Sequence, residues 1–218
     1  MKKSNLHKLL CKNHVEQSTL LNKLRDLLQP TMARLGASFA STGLSANFWT
    51  AFGLSIAVAA GIAYASPTLG LPWYYAAVIG GILLLVSGFL DMIDGSVARV
   101  TGKSSKKGAF LDSTFDKTAE SVVFVGIAAG GLAQPVWCMV ALAASLLVSY
   151  SRARAESLGV ELKGIGIGER AERLLIVALV GMVPHPEAMN WAMIIVVVVA
   201  AITLAQRIAS ASKKLSST

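Results

Sequence analysis

Apolar and polar residues follow one another along this chain in long blocks, not at strand spacing. Six apolar blocks stand out, near residues 48–66, 71–90, 115–132, 136–150, 174–183 and 191–208. Blocks approaching twenty residues predict membrane-crossing helices. A helix of that length matches the hydrocarbon thickness and satisfies its own backbone polar groups. The shorter blocks extend as helix into their flanks. Pro67, Pro72, Pro135, Pro184 and Pro186 fall between blocks, where helices should stop. The pattern predicts an all-α integral membrane protein with six transmembrane helices. Ahead of the first block, Leu20, Leu21, Leu24, Leu27 and Leu28 keep helical spacing up to Pro30, and Met32, Leu35 and Phe39 continue a second short run. An N-terminal amphipathic juxtamembrane helix is expected there, lying along the membrane surface or against the cytoplasmic loops. The chain thus divides into an N-terminal segment (1–47), a six-helix membrane domain (48–208) and a tail (209–218).

Composition agrees. Of 218 residues 54% are hydrophobic, and the mean hydropathy is +0.61, too apolar for a soluble domain of this length. Residues 1–19 are polar and lack the apolar core of a signal peptide, so the first apolar block is expected to direct insertion. The net charge of +8 reflects orientation, and nothing points to nucleic acid. The turns at 66–70, 133–135 and 183–190 carry no Lys or Arg. All 20 basic residues fall in the N-terminal segment, around 99–117, around 152–173 and in the tail. By the positive-inside rule, both termini and the two large loops face the cytoplasm of a cell membrane. Cys11 lies in a basic segment and Cys138 in an apolar one, so no disulfide is expected. His7, Cys11 and His14 share a possible helix face, which is either a metal site or a solvated terminus.

The informative stretch runs from residue 91 to residue 116. Asp91 and Asp94 are three apart at the end of the second block, so they share a helix face. Gly108, Asp112 and Asp116 are four apart and line one face at the start of the third. Two neighbouring helices therefore present two carboxylates each to a common space. Four anions at a membrane boundary repel one another and are costly to desolvate. They need cations, and hard oxygen ligands favour Mg²⁺ or Mn²⁺; two such ions suit phosphoryl chemistry. Solvated loop carboxylates paired with Arg99, Lys107 and Lys117 are the plainer alternative, but loop charges have no reason to fall on helical faces. Gly95 and Ala98 are small residues beside the aspartates, serving either close ligand approach or helix packing.

The pattern D-x2-D-G-x2-A-R-x8-G-x3-D-x3-D is met at Asp91, Asp94, Gly95, Ala98, Arg99, Gly108, Asp112 and Asp116. In this the chain resembles the CDP-alcohol phosphotransferases. The resemblance implies that Asp91 and Asp112 bridge two metal ions, Asp94 binds one and Asp116 the other, and that Asp116 is the general base. It implies contacts from Gly95, Arg99 and Ser105 to the CDP moiety, and a homodimer. The family's Pro-Asn-x-x-Thr-like stretch reads Ala46-Asn47-Phe48-Trp49-Thr50 here, which implies a nucleotide role for Asn47 although the proline is missing.

A second stretch, 149–173, gathers Ser149, Arg152, Arg154, Arg170 and Arg173. On residue chemistry alone these arginines make a phosphomonoester site, obey the positive-inside rule or bind lipid headgroups. The stretch is similar to the S-x2-K/R-A-R-A-E … E-R-P-E-R pattern of the branch that makes phosphatidylinositol phosphate or archaetidylinositol phosphate. Ala171 stands at the usual proline. The resemblance implies that these five residues cradle the phosphate of inositol phosphate, with CDP-diacylglycerol or CDP-archaeol as lipid donor and CMP as product. Gly164, Gly166 and Gly168 read as a flexible loop beside that pocket. Gly126 and Gly130 form a G-x3-G pattern that joins two copies or packs within one bundle. Glycerol phosphate or serine is the runner-up acceptor. A divalent-cation transporter is the competing class, but no acids line the outer half of the spans. A purely structural membrane protein gives no account of the aspartate faces.

Overall fold

The computed structural model describes residues 31–102, 105–162 and 164–216. They are helical, with no strand among them. Residues 31–40 form α1. The six apolar blocks then each centre on one helix: α2 (Ala46–Ala65), α3 (Trp73–Thr101), α4 (Lys106–Ala129), α5 (Pro135–Ser157), α6 (Arg170–Gly181) and α7 (Ala188–Leu215). Four are long and apolar enough to cross a membrane: α2 with its following 3₁₀ turn, α3, α5 and α7. The α4 helix opens with three charged turns. The twelve residues of α6 reach only about 18 Å. The run Leu20–Leu28 and the group His7, Cys11 and His14 lie outside the described residues.

Local chemistry sets the helix ends. The Ser45 hydroxyl accepts the Phe48 N–H at 3.2 Å and caps α2. Ser105 caps α4 by accepting the Gly108 N–H at 3.0 Å; these side chains satisfy donors that no helix turn can reach. Pro135 opens α5, where its missing N–H costs nothing. Gly102 ends α3 at φ 65°, a left-handed conformation that a side chain would strain.

The α2 helix packs on both α3 and α4, α5 on α4 and α7, and α6 on α3 and α7. The core runs through Tyr64, Leu84, Phe124, Ile127, Val177 and Met193, all buried. Small residues let backbones meet. A Cβ on Gly61 would stand 2.7 Å from Val122, one on Gly126 would overlap the Gly61 carbonyl, and one on Gly130 would overlap the Tyr64 carbonyl. The G-x3-G pattern is therefore used inside one chain, between α2 and α4, the second of the two uses the sequence leaves open. The α1 helix also docks on the bundle. Gly36 lies against Ser96 of α3, and the Phe39 ring meets Trp49 edge-on at 4.9 Å.

Gly126→Ala should lower the thermal stability of the detergent-solubilised protein markedly, because overpacking a closed contact costs roughly 1–3 kcal/mol or more. Gly88→Ala, where an added Cβ would meet no atom within 4 Å beyond its own helix backbone and chain neighbours, should leave the melting temperature unchanged or raise it. Size-exclusion chromatography of Gly126→Ala should show loss of folded protein, not a change of oligomeric state.

Candidate active site

The C-terminal turns of α3 and the N-terminal turns of α4 come to the same end of the bundle, and α2 packs against both. The i, i+3 pair on α3 and the i, i+4 pair on α4 meet there. Asp91, Asp112 and Asp116 each offer a carboxylate oxygen, and these oxygens lie within 4.8 Å of one another. Asp94 is buried, and its Oδ2 has no hydrogen-bond partner. The described cation that pairs with this group is Arg170 of α6. Its Nη1 lies 3.1 Å from Asp91 Oδ2 and also pairs with Asp116. Arg170 and the neighbouring Lys117 are fewer than the four carboxylates, which leaves the site anionic. An orphaned buried carboxylate oxygen beside three converging hard-oxygen donors fits a divalent cation such as Mg²⁺ or Mn²⁺. These residues can hold such an ion.

Two cavities flank the carboxylates. The smaller encloses about 240 Å³, and Asn47, Gly95, Ala98, Arg99 and Ser105 all line it. A Cβ on Gly95 would meet only the Arg99 guanidinium, at 3.6 Å. Gly95 therefore leaves space in the cavity instead of serving helix packing. Gly108 leaves room for Asn47 Oδ1 and Ser105 Oγ, which would stand 3.3 and 3.2 Å from an added Cβ.

The larger cavity, about 560 Å³, is lined by Asp91, Asp112 and Asp116, by Arg170 paired to two of them, and by Ser149, Arg152 and Arg173. Asp112 lines both cavities. Arg152 pairs with Glu156 at 2.8 Å in a largely exposed bridge, a weak tie that leaves the guanidinium available. Arg154 is not part of this wall; it is exposed and reaches Ser157 at 3.5 Å. Arg173 is 1% exposed and is held by Glu120 and by the Gly168 carbonyl.

Several residues of this region carry no site role in the sequence reading. Thr50 lines the smaller cavity, and Lys117, Glu169 and Arg207 line the larger. Glu120 had a readable signal, because it continues the four-residue register of Gly108, Asp112 and Asp116. Arg207 is a buried arginine near the end of an apolar helix, a placement that marks function or structure and not tail charge.

The CDP-alcohol phosphatidyltransferase family model matches residues 43–205. The archaetidylinositol phosphate synthase of Pyrococcus horikoshii is 36% identical over 90% of this chain and 98% of its own length. That of Methanothermobacter thermautotrophicus is 38% identical over 87% and 92%. The crystal structure of Mycobacterium tuberculosis phosphatidylinositol phosphate synthase with CDP-DAG bound superposes with a TM-score of 0.71 at 26% identity, covering 83% of this chain and 92% of that one. A second structure of that enzyme, with manganese and citrate, gives 0.69 at 27% identity, covering 83% and 88%. This chain belongs to the CDP-alcohol phosphatidyltransferase family. It is a transferase of phospholipid biosynthesis, and the paired aspartates of α3 and α4 lie within the matched region.

The geometry makes a direct prediction for metal binding. Asp112→Asn should weaken Mn²⁺ binding roughly 10–100-fold in a calorimetric titration, since one of the three converging carboxylates would lose its charge. Arg170→Gln should tighten it, because a competing fixed cation is removed from between Asp91 and Asp116.

Proposed function

We propose that this chain transfers the lipid phosphoryl group of a CDP-activated lipid to inositol phosphate, releasing CMP. The observation that carries this reading is the position of Asp112. It borders both the cavity lined by Asn47, Gly95, Ala98, Arg99 and Ser105 and the cavity that holds Ser149, Arg152 and Arg170. A donor on one side and a phosphorylated acceptor on the other would meet at the carboxylates. The inositol phosphate products named for the archaeal and bacterial relatives support the same acceptor. The donor is CDP-diacylglycerol or CDP-archaeol.

In this reading Asn47, Gly95, Ala98, Arg99 and Ser105 hold the CDP moiety. Asp91, Asp94, Asp112 and Asp116 would together hold Mg²⁺ or Mn²⁺, two ions in this reading. Such ions would supply charge neutralisation for the pyrophosphate and for the departing CMP oxygen. Asp116 takes the proton of the acceptor hydroxyl as its oxygen attacks the β-phosphorus and the phosphoanhydride bond breaks. Ser149, Arg152 and Arg170 orient the acceptor through its phosphate, which a guanidinium grips as a two-pronged fork. Arg154 lies off the cavity, whereas Arg173 lines it from a buried position beside Glu120 and would add to that grip.

The same proposal places the reaction at the cytoplasmic face. Arg99 of α3, the basic residues of α5 and α7 near their C-termini, and those of α4 and α6 near their N-termini lie at one end of each helix. With α4 and α6 completing six spans, the termini share that side. A homodimer would use a face other than the α2–α4 contact.

Comparing inositol phosphate, glycerol phosphate, free inositol and serine as acceptors for CMP release tests the reading. Inositol phosphate should be used best and free inositol poorly; equal use of free inositol or serine would remove the acceptor assignment. Excess EDTA should abolish turnover, and Mg²⁺ or Mn²⁺ should restore it. Asp116→Asn should cut kcat by ~10²–10⁴ while CDP-lipid binding is kept; an unchanged kcat places the base elsewhere.

A further inference from the structure

Glu169, Arg170 and Arg173 line the larger cavity at the start of α6, and the chain reaches them through the segment 158–169. Its glycines read in the sequence as a flexible loop. The structure lays two of them on α7 instead. A Cβ on Gly166 would stand 2.3 Å from Thr203 Cγ2, and one on Gly168 would stand 2.1 Å from Val199 Cγ1. Gly166 also sits at φ 118°, where a side chain would be strained. These two glycines serve the close approach of backbone to helix, and Gly164 alone of the three has room for a Cβ.

One face of α7, spaced at helical intervals, holds the segment. Lys214 Nζ donates to the Glu161 carbonyl at 2.8 Å. Ala211 packs against the cluster of Ala155, Val160 and Leu162. Arg207 Nε donates to the Ile165 carbonyl at 2.9 Å. Thr203 makes the last of these contacts before α6 begins. Its Oγ1 accepts the Gly168 N–H at 2.9 Å and donates to the Val199 carbonyl at 2.8 Å, so the hydroxyl is used both ways in a fully buried position. The Gly168 carbonyl in turn accepts Arg173 Nη1 at 2.8 Å, while Arg173 Nε and Nη2 donate to Glu120. A guanidinium carries five N–H donors. Arg173 therefore keeps two for a ligand, and Gly168 helps to fix where they point.

We propose that Thr203 is a positioning residue for the phosphorylated acceptor. Through the Gly168 N–H its hydroxyl fixes where the chain enters α6, and through the Gly168 carbonyl it fixes the aim of Arg173. Arg170, two residues beyond Gly168, is carried by the same segment. The inference rests on the acceptor reading above and gives Thr203 no contact with substrate. The hydroxyl matters here more than the bulk. A valine would fill the same space on α7 but leave a buried N–H unpaired, and the segment must then shift to find another partner. A shift of a holding group by about 1 Å can cost on the order of a hundredfold in rate, so a residue of α7 that never touches the acceptor can govern its use.

The test compares Thr203→Val with Thr203→Ser in the full-length enzyme, reading the KM of each substrate, Mn²⁺ binding and thermal stability separately. Thr203→Val should raise the KM for inositol phosphate roughly tenfold or more, while the KM for CDP-lipid and Mn²⁺ affinity hold. Thr203→Ser keeps the hydroxyl and should keep the wild-type acceptor KM. A lowered melting temperature in Thr203→Val with an unchanged acceptor KM would make the hydroxyl a stabilising group only, and overturns the proposal. Equal loss of both substrates overturns it too, as does Thr203→Ser impaired as badly as Thr203→Val. If Thr203→Val does not fold, Thr203→Cys takes its place, because a thiol is a weak acceptor. It should show the same split, and failure of both variants to fold also overturns the proposal. Wild-type enzyme that uses free inositol as well as inositol phosphate would remove the acceptor reading instead, and the same KM split with free inositol then judges Thr203.

Discussion

Carboxylates repel, and the structure is organised around that repulsion. Three carboxylate oxygens within 4.8 Å of one another interact unfavourably by roughly 3–4 kcal/mol per pair or more at an effective dielectric near 20, before a fourth acid is added. Two helices must be brought end to end against this force. The apolar packing of α2 on α3 and α4 supplies the opposing free energy, because it grips both helices along their lengths. The anionic focus then determines its surroundings. Arg170 is drawn between Asp91 and Asp116, and the cavity on that side is walled by further cations. The one buried carboxylate of the four keeps an oxygen without a partner.

The opposite ends of the same helices show how the position is held. Where α2 meets α4 the contact is backbone to backbone through Gly61, Gly126 and Gly130. Such a contact has no side chains to rearrange, so the two helices cannot slide or rotate independently. Closure at one end fixes the opening at the other, where Asn47 and Gly108 border the smaller cavity. The α6 helix has no comparable backbone contact with α4, and the Arg173–Glu120 pair takes that role with charge instead of close packing.

Much of this was legible in the sequence. The six apolar blocks became α2 to α7, and prolines and glycines stood at their ends. The aspartate faces followed from helical spacing alone, since spacing along one helix fixes direction without tertiary information. The residues Asn47, Gly95, Ala98, Arg99 and Ser105 came together in one cavity. What was not legible depends on partners far away in the chain. An arginine at a helix end is the same letter whether it faces solvent, as Arg154 does, or is locked to an acid 53 residues distant, as Arg173 is. A G-x3-G pattern marks a surface for close approach, but only the fold says which backbone approaches. Glu120 lay in plain register with the aspartates, which marks its face but not its partner, an arginine 53 residues away.

The register of α4 constrains how the gene for such a chain can change. Gly108, Asp112, Asp116 and Glu120 form a ladder on one helix face that runs from half-exposed to buried. Inserting or deleting a single codon within that stretch would turn every later rung by about 100°. The metal-facing acid, the buried acid and the glycines that meet α2 would then point in different directions at once. Point substitution remains open to this segment, but length variation does not.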